Sequence, residues 1–182
     1  MGGQSFYKGQ TAKEWIRRSQ DNPKNPEIEY IERTLTDREI AGLYTACDCL
    51  VHPYRGEGFG LPIAEAMASG MPVVVTGHGA ALDFCNETTA YLIPAKEVRL
   101  SDKRVGEFET VDFPWLAEPD REGLSRLMRH VAAHREEAAS KGRLAAEFIR
   151  AHFTWEHAAE TVKTRIRELR GKPILRLERV ER

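Results

Sequence analysis

Two carboxylates, Glu57 and Glu65, stand on either side of a glycine-rich turn in the run His52-Pro53-Tyr54-Arg55-Gly56-Glu57-Gly58-Phe59-Gly60-Leu61-Pro62-Ile63-Ala64-Glu65. A carboxylate accepts hydrogen bonds from neighbouring hydroxyls, such as those of a ribose or a sugar. Gly58 and Gly60 carry no side chain to block a ligand's approach to the backbone. If a helix starts just after them, its unpaired N–H groups and partial positive charge suit a phosphate. An acid, a glycine loop and a second acid thus suit a diphosphate with a sugar on each side. The carboxylates would reach past the diphosphate to hydroxyls. Arg55 lies beside the loop, where a guanidinium can pair with phosphate or point to solvent. His52 can face the sugar from a strand end or simply pack.

The elements that must position these groups alternate along the chain. Thr11-Ala12-Lys13-Glu14 and Thr36-Asp37-Arg38-Glu39 are capping boxes that predict helices to about Gln20 and over the Ile40, Leu43, Tyr44, Cys47 stripe. Short strands are expected over Ile28–Glu32, Cys49–Pro53, Pro72–Thr76 and Tyr91–Ile93. Pro72-Val73-Val74-Val75-Thr76 is apolar on both faces, which fits a buried parallel strand. Pro62–Ser69 reads as a helix closed by Gly70. Helices are expected from Asp120 to the Glu136–Ala138 region, from Lys141 to His152, and from Thr154 with Trp155, Ala158, Ala159, Val162, Ile166 and Leu169 on one stripe. The alternation predicts an α/β fold, a Rossmann-like doubly wound parallel sheet whose ligands bind beyond the carboxyl ends of the strands. Residues 95–119 show no regular period. Trp115 within them can pack against the ligand pocket or cover the core.

Composition removes several function classes. The 182 residues carry a formal net charge of −1, and the basic C-terminal run is broken by Glu168, Glu178 and Glu181, so no nucleic-acid partner is expected. No stretch reaches the ~18–20 apolar residues of a membrane span, and no signal sequence opens the chain, so a cytoplasmic location is expected. Cys47, Cys49 and Cys85 read as structural thiols, the first two as small buried groups at a helix end and a strand start. His130 and His134 sit four apart on a predicted helix, but no third ligand accompanies them and no metal site is expected. Gly58-Phe-Gly-Leu-Pro lacks the third glycine of a nicotinamide-binding fingerprint.

The run Glu57-Gly-Phe-Gly-Leu-Pro-x-x-Glu65-Ala-Met-Ala-Ser-Gly-x-Pro-Val-Val resembles the Glu-x7-Glu signature of group 1 glycosyltransferases, retaining enzymes of the GT-B fold. Asp48-Cys-Leu-Val-His-Pro, Leu43-Tyr44 and Trp155 fit the same pattern, and the resemblance extends over roughly residues 28–170. It implies that residues 1–170 are a C-terminal donor domain binding a UDP-, GDP- or ADP-sugar, with 171–182 a tail. Glu65 would hold the ribose hydroxyls, and Glu57 would contact the donor sugar at the catalytic centre. The amides of Gly58, Phe59, Gly60 and Leu61 would meet phosphate or sugar. Transfer would proceed with retention at the anomeric carbon and without an essential metal or other cofactor.

Two features of the family pattern are not found. One is an N-terminal domain for the acceptor. The other is an early loop whose Arg and Lys grip the diphosphate; Lys8-Gly9 has the Lys-Gly order, but no arginine precedes it. The expectation is a domain truncated at its N-terminal edge, inactive in isolation, with an exposed strand edge that invites homodimerisation. Two other readings stay open: a non-catalytic nucleotide-sugar-binding or interaction module, and a sugar-nucleotide epimerase of the same fold. The base, the sugar and the acceptor are not legible.

Overall fold

The computed structural model describes residues 12–106 and 108–172. The first helix, α1 (Ala12–Gln20), ends where expected; Thr11 of its capping box, Lys8-Gly9 and most of the C-terminal tail lie outside the described residues. The second helix, α2 (Asp37–Ala46), starts on the capping box. Thr36 Oγ1 accepts from the Glu39 amide (3.3 Å), and Glu39 Oε2 accepts from the Thr36 amide (2.8 Å). Between the two helices, Ile28–Glu32 forms no strand and pairs with none among the described residues, which corrects the strand expected there. Side chains of α1 hold it instead: Gln20 Nε2 donates to the Ile28 carbonyl, and Lys13 pairs with Glu32.

The sheet has three parallel strands in the order β1 (Leu50–His52), β2 (Val73–Thr76), β3 (Tyr91–Ile93), with Leu50 opposite Val73 and Val74 opposite Tyr91. Helix α3 (Leu61–Ala68) crosses from β1 to β2. Helices α4 (Arg121–Ala133), α5 (Arg135–His152) and α6 (Trp155–Arg170) follow the sheet. Every residue of β2 is buried, because side chains on both its faces meet helices. Val73 and Val75 join Ile63 and Met67 of α3 and Ala145 and Ile149 of α5 in one apolar cluster. Val74 joins Tyr91, Ile93 and Val131 in a second, backed by Leu124 and Leu127 of α4. This is the doubly wound packing the alternating elements predict.

Gly142 sets how closely α5 approaches the turn from α3 into β2. A Cβ there would overlap the Gly70 carbonyl oxygen and stand 3.2 Å from Pro72 N. Gly70 takes φ +82° and ends α3, as its position predicts.

Three other expectations are corrected. The α4–α5 break falls at His134, earlier than the sequence suggested; its φ/ψ of −120°/58° leaves the helical region, so one helix stops at Ala133 and the next starts at Arg135. Residues 95–119 are not irregular but antiparallel. Strand β4 (Ala95–Arg99) pairs with β7 (Trp115–Pro119), and β5 (Arg104–Val105) pairs with β6 (Phe108–Glu109) beyond them. With two-residue strands at the tip and alternating charges in β4, this arm has no apolar period to read. Cys47 is exposed and Cys49 half-buried, so only Cys85 is a fully buried thiol, its sulfur 3.6 Å from Met67 Sδ. Helix α6 begins after Thr154, as expected, but buries none of its residues; Trp155 is 86% exposed.

Candidate functional site

The site begins where β1 ends. Tyr54, two residues past the strand, fastens the exits of β1 and β2 together. Its one hydroxyl proton is shared between the carbonyls of His78 (2.6 Å) and Thr76 (3.0 Å), while Thr76 Oγ1 donates to the Tyr54 carbonyl (2.6 Å). Burial pushes the Tyr54 phenol up to about 12, so it stays a donor at neutral pH. This stitch fixes the take-off of the loop that carries Glu57.

The loop then turns into α3 through Gly60, which takes φ +95° at the helix N-cap. The positive φ favours glycine, and a Cβ at this position would stand 3.0 Å from Ile63 Cδ1 and press on it. Pro62 falls in the first turn of α3, where a missing N–H leaves no hydrogen bond unmade. Phe59 anchors the loop on the core, its ring 5.3 Å from that of Phe84.

Glu57 folds back onto the loop. Its Oε1 accepts from the amides of Gly58 (3.0 Å) and Phe59 (3.4 Å), and its Oε2 lies 3.5 Å from His52 Nε2. The Phe59 amide foremost, then the His52 side chain and the Gly58 amide, hold the carboxyl below its ordinary value against the opposing effect of burial. A carboxylate therefore already sits on two of the loop amides that the family resemblance assigns to a ligand.

Glu65 stands one turn into α3 on its exposed side. Its Oε2 accepts from the Tyr44 hydroxyl of α2 at 3.1 Å. Burial, and then the Glu65 carboxylate, push the Tyr44 phenol up to about 12. In the sequence Tyr44 belongs to an apolar stripe and to the family-like Leu43-Tyr44 pair; its contact with Glu65 needed the packing of α2 beside α3 to show itself. Arg55 is engaged by the strand β7. Its guanidinium pairs with Glu118 of β7 at 2.6 Å, and its carbonyl accepts from the Ala117 amide at 2.9 Å. Gly58 and Leu61 are exposed, Gly60 is buried, and Phe59 is exposed at the rim. His52, Glu57, the glycine turn and Glu65 thus share one loop and helix at the carboxyl end of β1.

His130 and His134 lie at the α4–α5 junction. Their rings stack with centroids 4.1 Å apart, and His130 Nε2 lies 3.1 Å from the Glu137 carboxylate. Among the described residues no group of three potential ligands is close enough to hold a metal ion. Among the same residues, no helix is long and apolar enough to cross a membrane.

Comparison with known proteins places this geometry in a family. Residues 5–104 match the family model described as glycosyl transferases group 1. The lipopolysaccharide core biosynthesis mannosyltransferase LpsB of Rhizobium meliloti (strain 1021) is 37% identical over 103 residues, which are 55% of this chain and 29% of LpsB. The chain thus spans well under half the length of that relative. A sucrose-phosphate synthase of Thermosynechococcus elongatus superposes with a TM-score of 0.58 at 21% identity, over 86% of this chain and 33% of that one. The C-terminal domain of the group 1 glycosyl transferase LpcC of Francisella tularensis superposes with a TM-score of 0.53 at 19% identity, over 79% of this chain and 60% of that one. The fold is therefore that of a GT-B C-terminal domain, and the chain belongs to the group 1 glycosyl transferases.

Proposed function

We propose that this chain is the donor-binding domain of a retaining sugar transferase and that it holds a nucleotide-diphospho-mannose. The observation that carries the reading is the placement of Glu57, the Gly58–Gly60 turn and Glu65 on one loop and helix at the carboxyl end of β1. The name of LpsB points to mannose as the sugar. Glu65, steadied by Tyr44, binds the ribose hydroxyls. Glu57 leaves the amides of Gly58 and Phe59 when the donor arrives and turns to the hydroxyls of the sugar. The vacated amides, with those of Gly60 and Leu61 at the start of α3, then face the diphosphate. Negative charge grows on the diphosphate as the glycosidic bond breaks, and fixed N–H donors stabilise it without reorganising. The partial positive charge of the α3 N-terminus acts in the same sense, so the mechanism needs no metal. Arg55 supports the loop through Glu118. In the whole protein an N-terminal domain presents the acceptor, and the reaction takes place in the cytoplasm.

Thermal melting with GDP, UDP, ADP and their mannose conjugates tests the donor site and identifies the base. A ligand at 100 times its Kd stabilises by about 2.7 kcal/mol, equivalent to roughly 5–11 °C for a domain of this size. A shift with one nucleotide, lost in Glu65→Ala, supports the reading. No shift with any of them sinks donor binding by this chain.

A further inference from the structure

The antiparallel arm of residues 95–119 carries none of the residues assigned above to the donor, yet it is bonded to the loop that carries them. The Ala117 amide donates to the Arg55 carbonyl, and Glu118 pairs with the Arg55 guanidinium. The register sets Glu97 opposite Ala117 and Arg99 opposite Trp115, so the alternation of strand side chains places all four on one face. His78, at the exit of β2, meets this face. Its ring packs at 82° to Trp115 with centroids 5.5 Å apart, and its Nε2 lies 3.9 Å from Glu97 Oε1. Trp115 remains 52% exposed.

A large aromatic ring held from one side and half open to solvent, with a carboxylate and a guanidinium beside it, has a recognisable complement. A pyranose ring offers an apolar C–H face to an aromatic plane and a rim of hydroxyls to the polar groups around it. Glu97 and Arg99 cancel in charge, which favours a neutral ligand over an anion. The location indicates which sugar. The arm joins the loop at Arg55, upstream of Glu57, whereas Glu65 lies downstream in α3. A donor held by Glu65 and Glu57 engages the loop and α3, which leaves the polar and aromatic surface of the arm to a second sugar.

The geometry points to a second carbohydrate subsite on this face, in which Trp115 stacks the ring of the acceptor sugar while Glu97 and Arg99 bind its hydroxyls. His78 holds the Trp115 ring in place. The choice of acceptor over donor rests on the donor assignment made above; the presence of the subsite does not.

The test uses the whole chain labelled with nitrogen-15 and follows the indole signals of Trp15, Trp115 and Trp155, assigned with Trp115→Phe. Methyl α-mannoside, methyl α-glucoside, methyl β-galactoside and N-acetylglucosamine are titrated singly, with and without GDP, UDP or ADP. A saturable shift of the Trp115 indole with at least one sugar is expected, with Trp15 and Trp155 unmoved. Read from the backbone amide signals of residues 95–99 and 115–118, which persist when the indole is removed, Trp115→Phe, which keeps a flat ring, retains most of the affinity. Trp115→Ala weakens it on the order of ten-fold, the loss of one stacking contact. Arg99→Ala, at an exposed strand end, serves as a second variant should Trp115→Ala not fold. Both variants keep the nucleotide melting shift of the parent chain. No saturable shift with any of the four sugars, or undiminished binding by the Ala variants, overturns the subsite. Loss of the nucleotide melting shift in the parent chain is a separate failure, of the donor reading, because the sugar titration without nucleotide still decides the arm.

Discussion

Gly142→Ala tests whether the close approach of α5 to the α3–β2 turn holds the site-bearing helix in place. Two effects oppose each other. In a helix interior, Ala is better than Gly by about 1 kcal/mol. Against this, the new Cβ meets backbone: it overlaps the Gly70 carbonyl oxygen and stands 3.1 Å from Gly70 C and 3.2 Å from Pro72 N. Gly70 is locked at φ +82°, and the Pro72 carbonyl accepts from Leu50 N at 2.9 Å, so the turn cannot retreat without disturbing β1. Overpacking of this kind costs about 1–3 kcal/mol, and rigid backbone on the receiving side puts it in the upper half. The net expectation is a loss of about 1–2 kcal/mol, or roughly 2–8 °C in Tm. Gly42→Ala in α2 is the matched control, because apart from its chain neighbours and the adjacent backbone of its own helix no described atom lies within 4 Å of its Cβ. There the propensity gain acts alone and Tm rises by roughly 1–4 °C. Calorimetry of the two variants beside the parent decides the matter. A Gly142→Ala protein that melts at or above the parent temperature refutes the packing argument.

Gly60→Ala places a side chain at φ +95° and 3.0 Å from Ile63 Cδ1; the backbone alone costs about 1–2 kcal/mol, and nucleotide-induced stabilisation should shrink with it in a melting assay. Tyr44→Phe removes the donor to Glu65; on the donor reading, nucleotide affinity measured by calorimetric titration falls by roughly 2–10-fold, as expected for one hydrogen bond of about 0.5–1.5 kcal/mol, and unchanged affinity rules Tyr44 out as a positioning residue. The phenols of Tyr44, Tyr54 and Tyr91 are all raised to about 12, chiefly by burial. A raised folded pKa contributes stability that is complete below the unfolded value of about 10 and lost as pH climbs towards 12, so urea midpoints should hold up to about pH 9 and drop steeply above pH 10. Strand β1 lies at one end of the described sheet, and pairing through it should give concentration-dependent mass in light scattering; a constant monomer mass at high concentration discards the dimer.

Much of the fold was legible in the order of local signals. The Thr36–Glu39 capping box, the apolar run at β2 and the Pro62 and Gly70 ends of α3 each depend on contacts within a few residues, so sequence spacing alone predicts them. The Glu57–Glu65 spacing is local in the same sense, since a single loop and helix carry both acids. What failed were elements whose state depends on a distant partner. Ile28–Glu32 has strand-like residues but no neighbouring strand among those described, and a ladder cannot form without one. The arm at 95–119 exists because β4 finds β7 across an intervening turn, a pairing that leaves no period in either segment. Arg55 had equal claims to phosphate and to solvent on sequence grounds; its pairing with Glu118, more than sixty residues on, was not legible there. Tyr44 beside Glu65, Tyr54 between the ends of β1 and β2, and Trp115 against His78 are likewise products of packing. Sequence by itself determined the chemistry carried by one continuous segment, because covalent neighbours keep their spacing in any fold. Tertiary structure alone decided which side chains from other segments hold that chemistry in place, because their separation in space is set by the packing of helices on both faces of the sheet.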